Sequence, residues 1–234
     1  MEIPAPPWQR PAKAKPARRQ LSREAVVDAA LRVLDKEGLD AVTMRRVAQE
    51  LQTGPASLYV HVTNKDELHQ LLLDRVTAEI PLQKADPERW QEQIKQLLRD
   101  SVGVFSAHPG VAQLAMSGLP STPNSLRVME NMLTLLRAGG LSDQVVAWAG
   151  DLLGLFIPAT ALEETFFRAA GHNEETMAEF TRQYGDYLRS LPATEFPTTV
   201  ALASHMTTGA GNERFDFKLD VLLAGLIAVS GERA

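Results

Sequence analysis

The stretch "MRRVAQELQTGPASLYVHVTNKDEL", residues 44–68, begins one short helical pattern, stops it at Gln52-Thr53-Gly54, and starts another at Pro55. Proline suits a first helical turn because its φ is already helical and its missing N–H needs no partner there. Before the stop, Val47, Ala48 and Leu51 share one side, and Thr43 stands where an N-cap belongs. After the second short pattern, Asn64 followed by Glu67 reads as a variant capping box that opens a further helix, with Leu68, Leu71, Leu72 and Val76 along one side. Upstream, Ser22 is a plausible N-cap for a helix that carries Val26, Ala29, Ala30, Val33 and Leu34 on one face and stops at Gly38. Four helices are therefore expected between residues 22 and 80.

Further along the chain the helical patterns lengthen. Trp90, Ile94, Leu97, Leu98 and Phe105 mark one helix, ended by the His-Pro-Gly of residues 108–110. Leu126, Met129, Leu133 and Leu136 mark the next, ended by Gly139-Gly140. A long helix opens near Asp143 and runs through "VVAWAGDLLGLFIPATALEETFFRAAG", with Pro158 expected to kink or break it. Met177, Phe180, Tyr184, Tyr187 and Leu188 mark another, and "FDFKLDVLLAGLIAVS" the last. No useful β-alternation and no internal repeat appear, so the fold class is all-α.

Composition bounds the function. With 44% hydrophobic and 23% charged residues the chain has an ordinary globular balance. It has no cysteine, which excludes disulfides, thiolate zinc sites and cysteine nucleophiles and is compatible with a reducing cytoplasm. No apolar run reads as a membrane span and the N-terminus lacks a secretory apolar core, so a soluble, cytoplasmic protein with no membrane partner is expected. The net charge of −5 is unevenly spread: residues 1–80 hold 12 Lys+Arg against 11 Asp+Glu, residues 81–234 hold 12 against 18. Within residues 1–20, Arg10, Lys13, Lys15, Arg18 and Arg19 face only Glu2, and the prolines there resist helix formation. That segment reads as a flexible basic arm, either a solubilising tail or a strand that reaches DNA phosphate or minor groove. HExxH, phosphate-loop and GxSxG motifs are missing and the histidines are scattered, so an enzyme is not expected, nor any cofactor.

Two short helices joined by a tight turn and held against a leading helix make a helix-turn-helix, whose second element is free to lie in the major groove of DNA. Residues 22–80 closely resemble the N-terminal DNA-binding domain of the TetR family of bacterial transcriptional regulators, through "AALRVLDKEGLDAVTMRRVAQEL" and "SLYVHVTNKDELHQLLLDRV". The resemblance implies DNA contacts from Thr43, Met44 and Arg45 at the start of the second helix. Arg45 is the best base reader, because a guanidinium pairs bidentately with guanine. It further implies base-facing positions at Pro55, Ala56 and Ser57 and phosphate contacts from Tyr59, His61 and Lys65. Leu58, Val62 and Leu68 are expected to pack inward. The alternatives are a core aromatic for Tyr59, a plain helix-end residue for His61, and for Arg45 a salt bridge to Glu50 or Asp40.

The C-terminal part resembles that of the tetracycline-repressor subgroup, which implies a large helical domain that binds a small molecule and pairs two helices per subunit into a homodimer. The matching helices are about 143–169 and 214–230. Where that subgroup places a metal-coordinating His, this chain has Ala115, so no metal is expected. The expected effector pocket is apolar: Met116, Leu119, Met132, Leu136, Trp148, Leu152, Phe156, Phe166 and Phe167, each of which could equally be plain core. The expected domains are a basic arm (1–20), a helix-turn-helix domain (21–68), a connecting helix (69–80) and an effector-binding and dimerisation domain (81–234). Together these readings point to a DNA-binding regulator, a dimeric repressor released from its double-stranded DNA operator by a small hydrophobic or aromatic effector. The rival is a helical small-molecule-binding module without specific DNA binding.

Overall fold

A computed structural model describes residues 21–108, 110–169, 171, 174–209 and 211–232; the basic arm and Pro109 lie outside them. Among the described residues the chain forms eleven α-helices and no strand. The first four are α1 (Arg23–Glu37), α2 (Met44–Glu50), α3 (Pro55–Leu58) and α4 (Lys65–Thr77), with a 3₁₀ turn at Leu39–Ala41. Three of these helices begin on the caps legible in the sequence. The Ser22 hydroxyl accepts the Ala25 N–H, Thr43 Oγ1 accepts the Arg46 N–H, and Asn64 Oδ1 accepts the Glu67 N–H. Glu67 reaches back to the Thr63 N–H at 2.6 Å, a capping box shifted by one residue, and also pairs with Arg23 of α1.

The core of this head is built from one face of each helix: Val26, Ala30, Val33 and Leu34 of α1, Val47 of α2, Leu58 of α3, and Leu68 and Leu72 of α4 are all sealed from solvent. Each such valine or leucine side chain is worth roughly 1.5–3 kcal/mol of burial, enough together to hold helices too short to survive alone.

The second domain contains α5 (Trp90–Ala107), α6 (Val111–Met116), α7 (Pro123–Ala138), α8 (Asp143–Ala169), α9 (Glu174–Ser190), α10 (Pro197–Met206) and α11 (Gly211–Glu232). Helices α5, α7 and α8 pack on one another, α6 lies against α8, and α11 lies along α8 and α5. Helices α9 and α10 pack chiefly on each other. Two differences from the sequence reading stand out. Helices α6 and α10 were not expected, and Pro158 does not break α8, which stays one helix with the proline buried inside it.

Helix α8 also corrects the expectation about apolar runs: residues 143–166 are long and apolar enough, at a mean hydropathy of 1.7, to meet the composition of a membrane span. The reason is that both its faces are apolar. Ala149, Leu153, Ile157 and Ala161, four residues apart, form the core face, while Trp148, Leu152 and Leu155 are exposed on the other.

Helix α4 joins the two domains, packing on α1 within the head and on α5, α6 and α7 beyond it. Asn124, near the start of α7, grips Asp74 of α4 through its backbone N–H (2.7 Å to Oδ1) and its side-chain amide (2.9 Å to Oδ2, 3.1 Å to the carbonyl). Asn131 of α7 does the same for the linker, exchanging bonds with the backbone N–H and carbonyl of Gln83 at 3.1 and 2.7 Å.

Candidate nucleic-acid interface

The two reading elements owe their exposure to what anchors them beneath. Leu58 is fully buried and the N–H groups of His61 and Val62 return to its carbonyl at 2.8 and 2.9 Å, closing α3 into a tight knob. Val62 and Leu68 are buried with it, as the sequence implied. With that side committed inward, Pro55, Ala56, Ser57 and Tyr59 point outward, Tyr59 with 54% of its surface free. The turn between α2 and α3 closes through the Thr53 N–H on the Ala48 carbonyl at 2.9 Å. It places Gln52 at φ 53°, the one left-handed non-glycine among the described residues.

The two adjacent arginines of α2 have different jobs. Arg46 lies back along α1: its Nε and Nη2 meet Glu37 at 2.6–3.1 Å, its Nη2 meets Glu50 at 3.1 Å, and Arg32 Nε reaches the other Glu50 oxygen at 3.3 Å. The Arg46 guanidinium holds the carboxyl groups of Glu37 and Glu50 below the usual carboxylate range, with Arg32 assisting at Glu50. Arg45 is exposed and, among the described residues, has no ion-pair partner. The Glu50 salt bridge weighed for Arg45 is made by Arg46 instead, and among the described residues neither Glu50 nor Asp40 pairs with the Arg45 guanidinium.

Thr43 is exposed with its hydroxyl engaged in capping α2; Lys65 is exposed at the start of α4, and His61 is half-buried. Met44 is a correction. It is only 8% exposed and its side chain belongs to the core, because the first residue of α2 faces the same side as Val47 and Ala48. One surface residue escaped the sequence reading: Val60, 81% exposed next to Tyr59. No signal in the pattern separates it from a core valine, since a knob of four helical residues has no period to read. The assembled face has a free guanidinium, a hydroxyl, a phenol, an ammonium and small apolar groups, a set suited to phosphate oxygens and base edges.

Comparison with known proteins decides the family. Residues 26–71 match the model of the bacterial regulatory proteins of the tetR family, and residues 83–230 match that of the tetracyclin repressor-like C-terminal domain. The chain belongs to the TetR family. It is 32% identical to the HTH-type transcriptional repressor DrrR1 of Streptomyces coeruleorubidus over 91% of this chain and 80% of that one. Among solved structures it is similar to Streptomyces coelicolor ActR. The apo form aligns at 43% identity and a TM-score of 0.81, covering 92% of this chain and 98% of that one. The complex with actinorhodin aligns at 44% and 0.83, covering 92% and 100%. As a TetR-family protein the chain is a DNA-binding transcriptional regulator with a ligand-responsive helical domain, and it is not an enzyme.

Of the nine apolar residues expected to line an effector pocket, the eight whose side chains are described do not converge on one cavity. Met132 and Leu136 of α7 are sealed in the core, and Phe156 is partly buried against Phe215 of α11, ring centroids 5.6 Å apart. Met116 is half-exposed at the end of α6, Leu119 is 87% exposed in the loop after it, and Phe166 is exposed. Trp148 and Leu152 lie on the outer face of α8, where with Val145, Ala149, Leu226 and Val229 they line a shallow groove against α11. The side chain of Phe167 lies outside the described residues. Trp148 and Leu152 face outward because a 100° step per helical residue sends them away from the core positions beside them, and Leu119 is exposed because it stands in a loop outside any helix. Among the described residues no cluster of three His, Asp or Glu is placed to hold a metal, and Ala115 is half-buried in α6.

Proposed function

We propose that this TetR-family protein is a homodimeric repressor in the cytoplasm, with no membrane partner, released from its operator by a small hydrophobic or aromatic effector. Residues 21–68 read the DNA, 69–80 transmit, and 81–234 bind effector and dimerise. Within the first segment Thr43, Arg45, Pro55, Ala56, Ser57, Tyr59, His61 and Lys65 make the DNA contacts. The observation that carries this reading is the free Arg45 guanidinium set beside an outward α3 whose inner side is pinned by Leu58.

Dimerisation is supported by the outer faces of α8 and α11, which carry Trp148, Leu152 and Leu155, and Phe217, Val221 and Ile227, all exposed. Large apolar groups gathered on two neighbouring helices mark an association surface. A dimer also sets two reading heads about 34–36 Å apart, one turn of duplex. The partly buried Phe156 of α8 and the apolar groove of Trp148 and Leu152 favour an apolar ligand, and the solved complex of ActR with actinorhodin gives a chemical lead.

Ligand and DNA then compete through two head arrangements, and the coupling is reciprocal in binding free energy. The test is to titrate a preformed complex of the protein and its flanking DNA with aromatic small molecules, actinorhodin among them. Saturable release by one of them is expected; a complex indifferent to all, from a protein that binds those same molecules, would refute effector control.

A further inference from the structure

We infer that His108 is an inter-domain latch, a positioning residue that is complete only as an imidazolium and ties the reading head to the effector domain. It stands at the end of α5, where the effector core meets the head, and its ring is largely buried at 14% exposure. Its Nδ1 lies 2.8 Å from Asp35 Oδ1 of α1, and its Nε2 lies 3.4 Å from Glu79 Oε2, two residues past α4. One side chain from the second domain thus touches the first helix of the head and the end of the connector.

What the two carboxylates ask of the ring follows from counting donors. Two ionised carboxylates only accept hydrogen bonds, and a neutral imidazole has a single N–H, so it would set a lone pair against one of the two oxygens. An imidazolium donates to both, and such charge-assisted bonds are the strong ones. The charged groups around the ring are Asp35 from α1 and Glu79 from the end of α4, with Arg75 of α4 behind. Arg75 Nη1 is 3.5 Å from the second Glu79 oxygen, and its Nε is 3.8 Å from Asp28 of α1. Asp28, Arg75, Glu79, His108 and Asp35 form one connected chain of ionisable side chains from α1, α4, the residues just past it, and the end of α5.

The same turn is pressed on the head by packing. Gly110, at φ 93°, lies so close to Leu39 that a Cβ placed on it would stand 2.6 Å from the Leu39 Cβ. The turn leads directly into α6, which packs on α4 and α8. A latch here is therefore placed to feel rearrangement of the effector domain and to set the angle of the head. Histidine is the side chain that changes charge across neutral pH, which makes the coupling sensitive to protons as well as to ligand.

The absence of cysteine allows a clean test: spin labels at Gln49→Cys in α2 and Gln91→Cys in α5, diluted with unlabelled chain, report the head-to-domain distance. Measurements at about pH 5.5 and about pH 8.5 bracket the histidine range. The labelled chain with His108 intact is expected to give a narrow distance distribution at the lower pH and a broader one at the higher. His108→Gln is expected to be broad at both, and Glu79→Gln, which keeps the ring, to lose much of the pH dependence. A His108→Gln protein that narrows like its parent, or a parent whose distribution ignores pH, overturns the latch. For its effect on function the inference rests on the regulator reading, so operator affinity is measured alongside. A pH dependence of affinity that His108→Gln abolishes supports the coupling, and one it retains refutes it. Failure of every protein to bind DNA, with the distances behaving as expected, refutes the regulator reading and leaves the latch standing.

Discussion

Replacing Arg45 and Arg46 one at a time by alanine separates reading from holding. Arg45 is exposed without an ion-pair partner, so Arg45→Ala removes nothing the folded protein uses, and its effect on stability should stay within about 0.5 kcal/mol, as for ordinary surface sites. If its guanidinium makes a bidentate contact with a base, the loss on DNA is about 1–3 kcal/mol, roughly 5- to 150-fold in Kd, confined to the cognate sequence. Arg46 is held by Glu37 at 2.6 Å and Glu50 at 3.1 Å. Arg46→Ala strands the Glu37 carboxylate and leaves Glu50 only its bond to Arg32, so it should lower the thermal midpoint while leaving discrimination between cognate and shuffled DNA largely intact. The assay is fluorescence anisotropy on both DNAs, paired with thermal unfolding by circular dichroism. Arg45→Ala binding cognate DNA like the parent would refute the assignment of the reader, as would an Arg46→Ala protein that loses discrimination at full stability.

Three further outcomes follow. Leu58 is the sealed anchor of α3, so Leu58→Ala should cost about 2–5 kcal/mol in denaturant unfolding and weaken DNA binding in proportion to the displaced knob. A Cβ on Gly139 would lie 2.4 Å from the indole of Trp90, itself buried, so Gly139→Ala should destabilise by about 1–3 kcal/mol through overpacking, measured the same way and without effect on the DNA salt slope. Burial, then the Lys65 charge, pushes His69 below the ordinary histidine value, and its Nε2 is buried with no hydrogen-bond partner among the described residues. The unfolded chain then binds the proton more readily, so stability falls as pH drops below about 6.5 toward the lowered folded value. His69→Leu should flatten that fall in a thermal-midpoint titration, and the difference from the parent cancels every other titrating group.

Much of the fold was legible because its punctuation is local. Ser22, Thr43 and Asn64 cap in the structure as their residue types and spacing imply, Pro55 opens α3, and Gly38 and Gly139 close α1 and α7. Helices α6 and α10 were missed because six residues after a glycine turn, or ten opening on Pro-Thr-Thr-Val, carry too little period to read. On the DNA face the exposed set followed from the resemblance, but which of two adjacent arginines is free depends on Glu37 across the α1–α2 packing, nine residues away. Met44 was misplaced by a single helical step. Burial along α8 was hard to read for a related reason: the helix is apolar on both faces, so hydrophobicity alone does not separate Leu152, which is exposed, from Leu153, which is core.

The central claim is that the face built from Arg45, α3 and Lys65 reads specific DNA. The most direct measurement is anisotropy of the purified protein on DNA flanking its own gene, against shuffled DNA of the same length, across a salt series. Counterion release weakens both as salt rises, but base contacts keep a cognate preference of about 10³-fold or more at physiological salt. A preference that persists as salt rises is the expected result. Equal binding to every fragment offered, collapsing together with salt, would contradict the account.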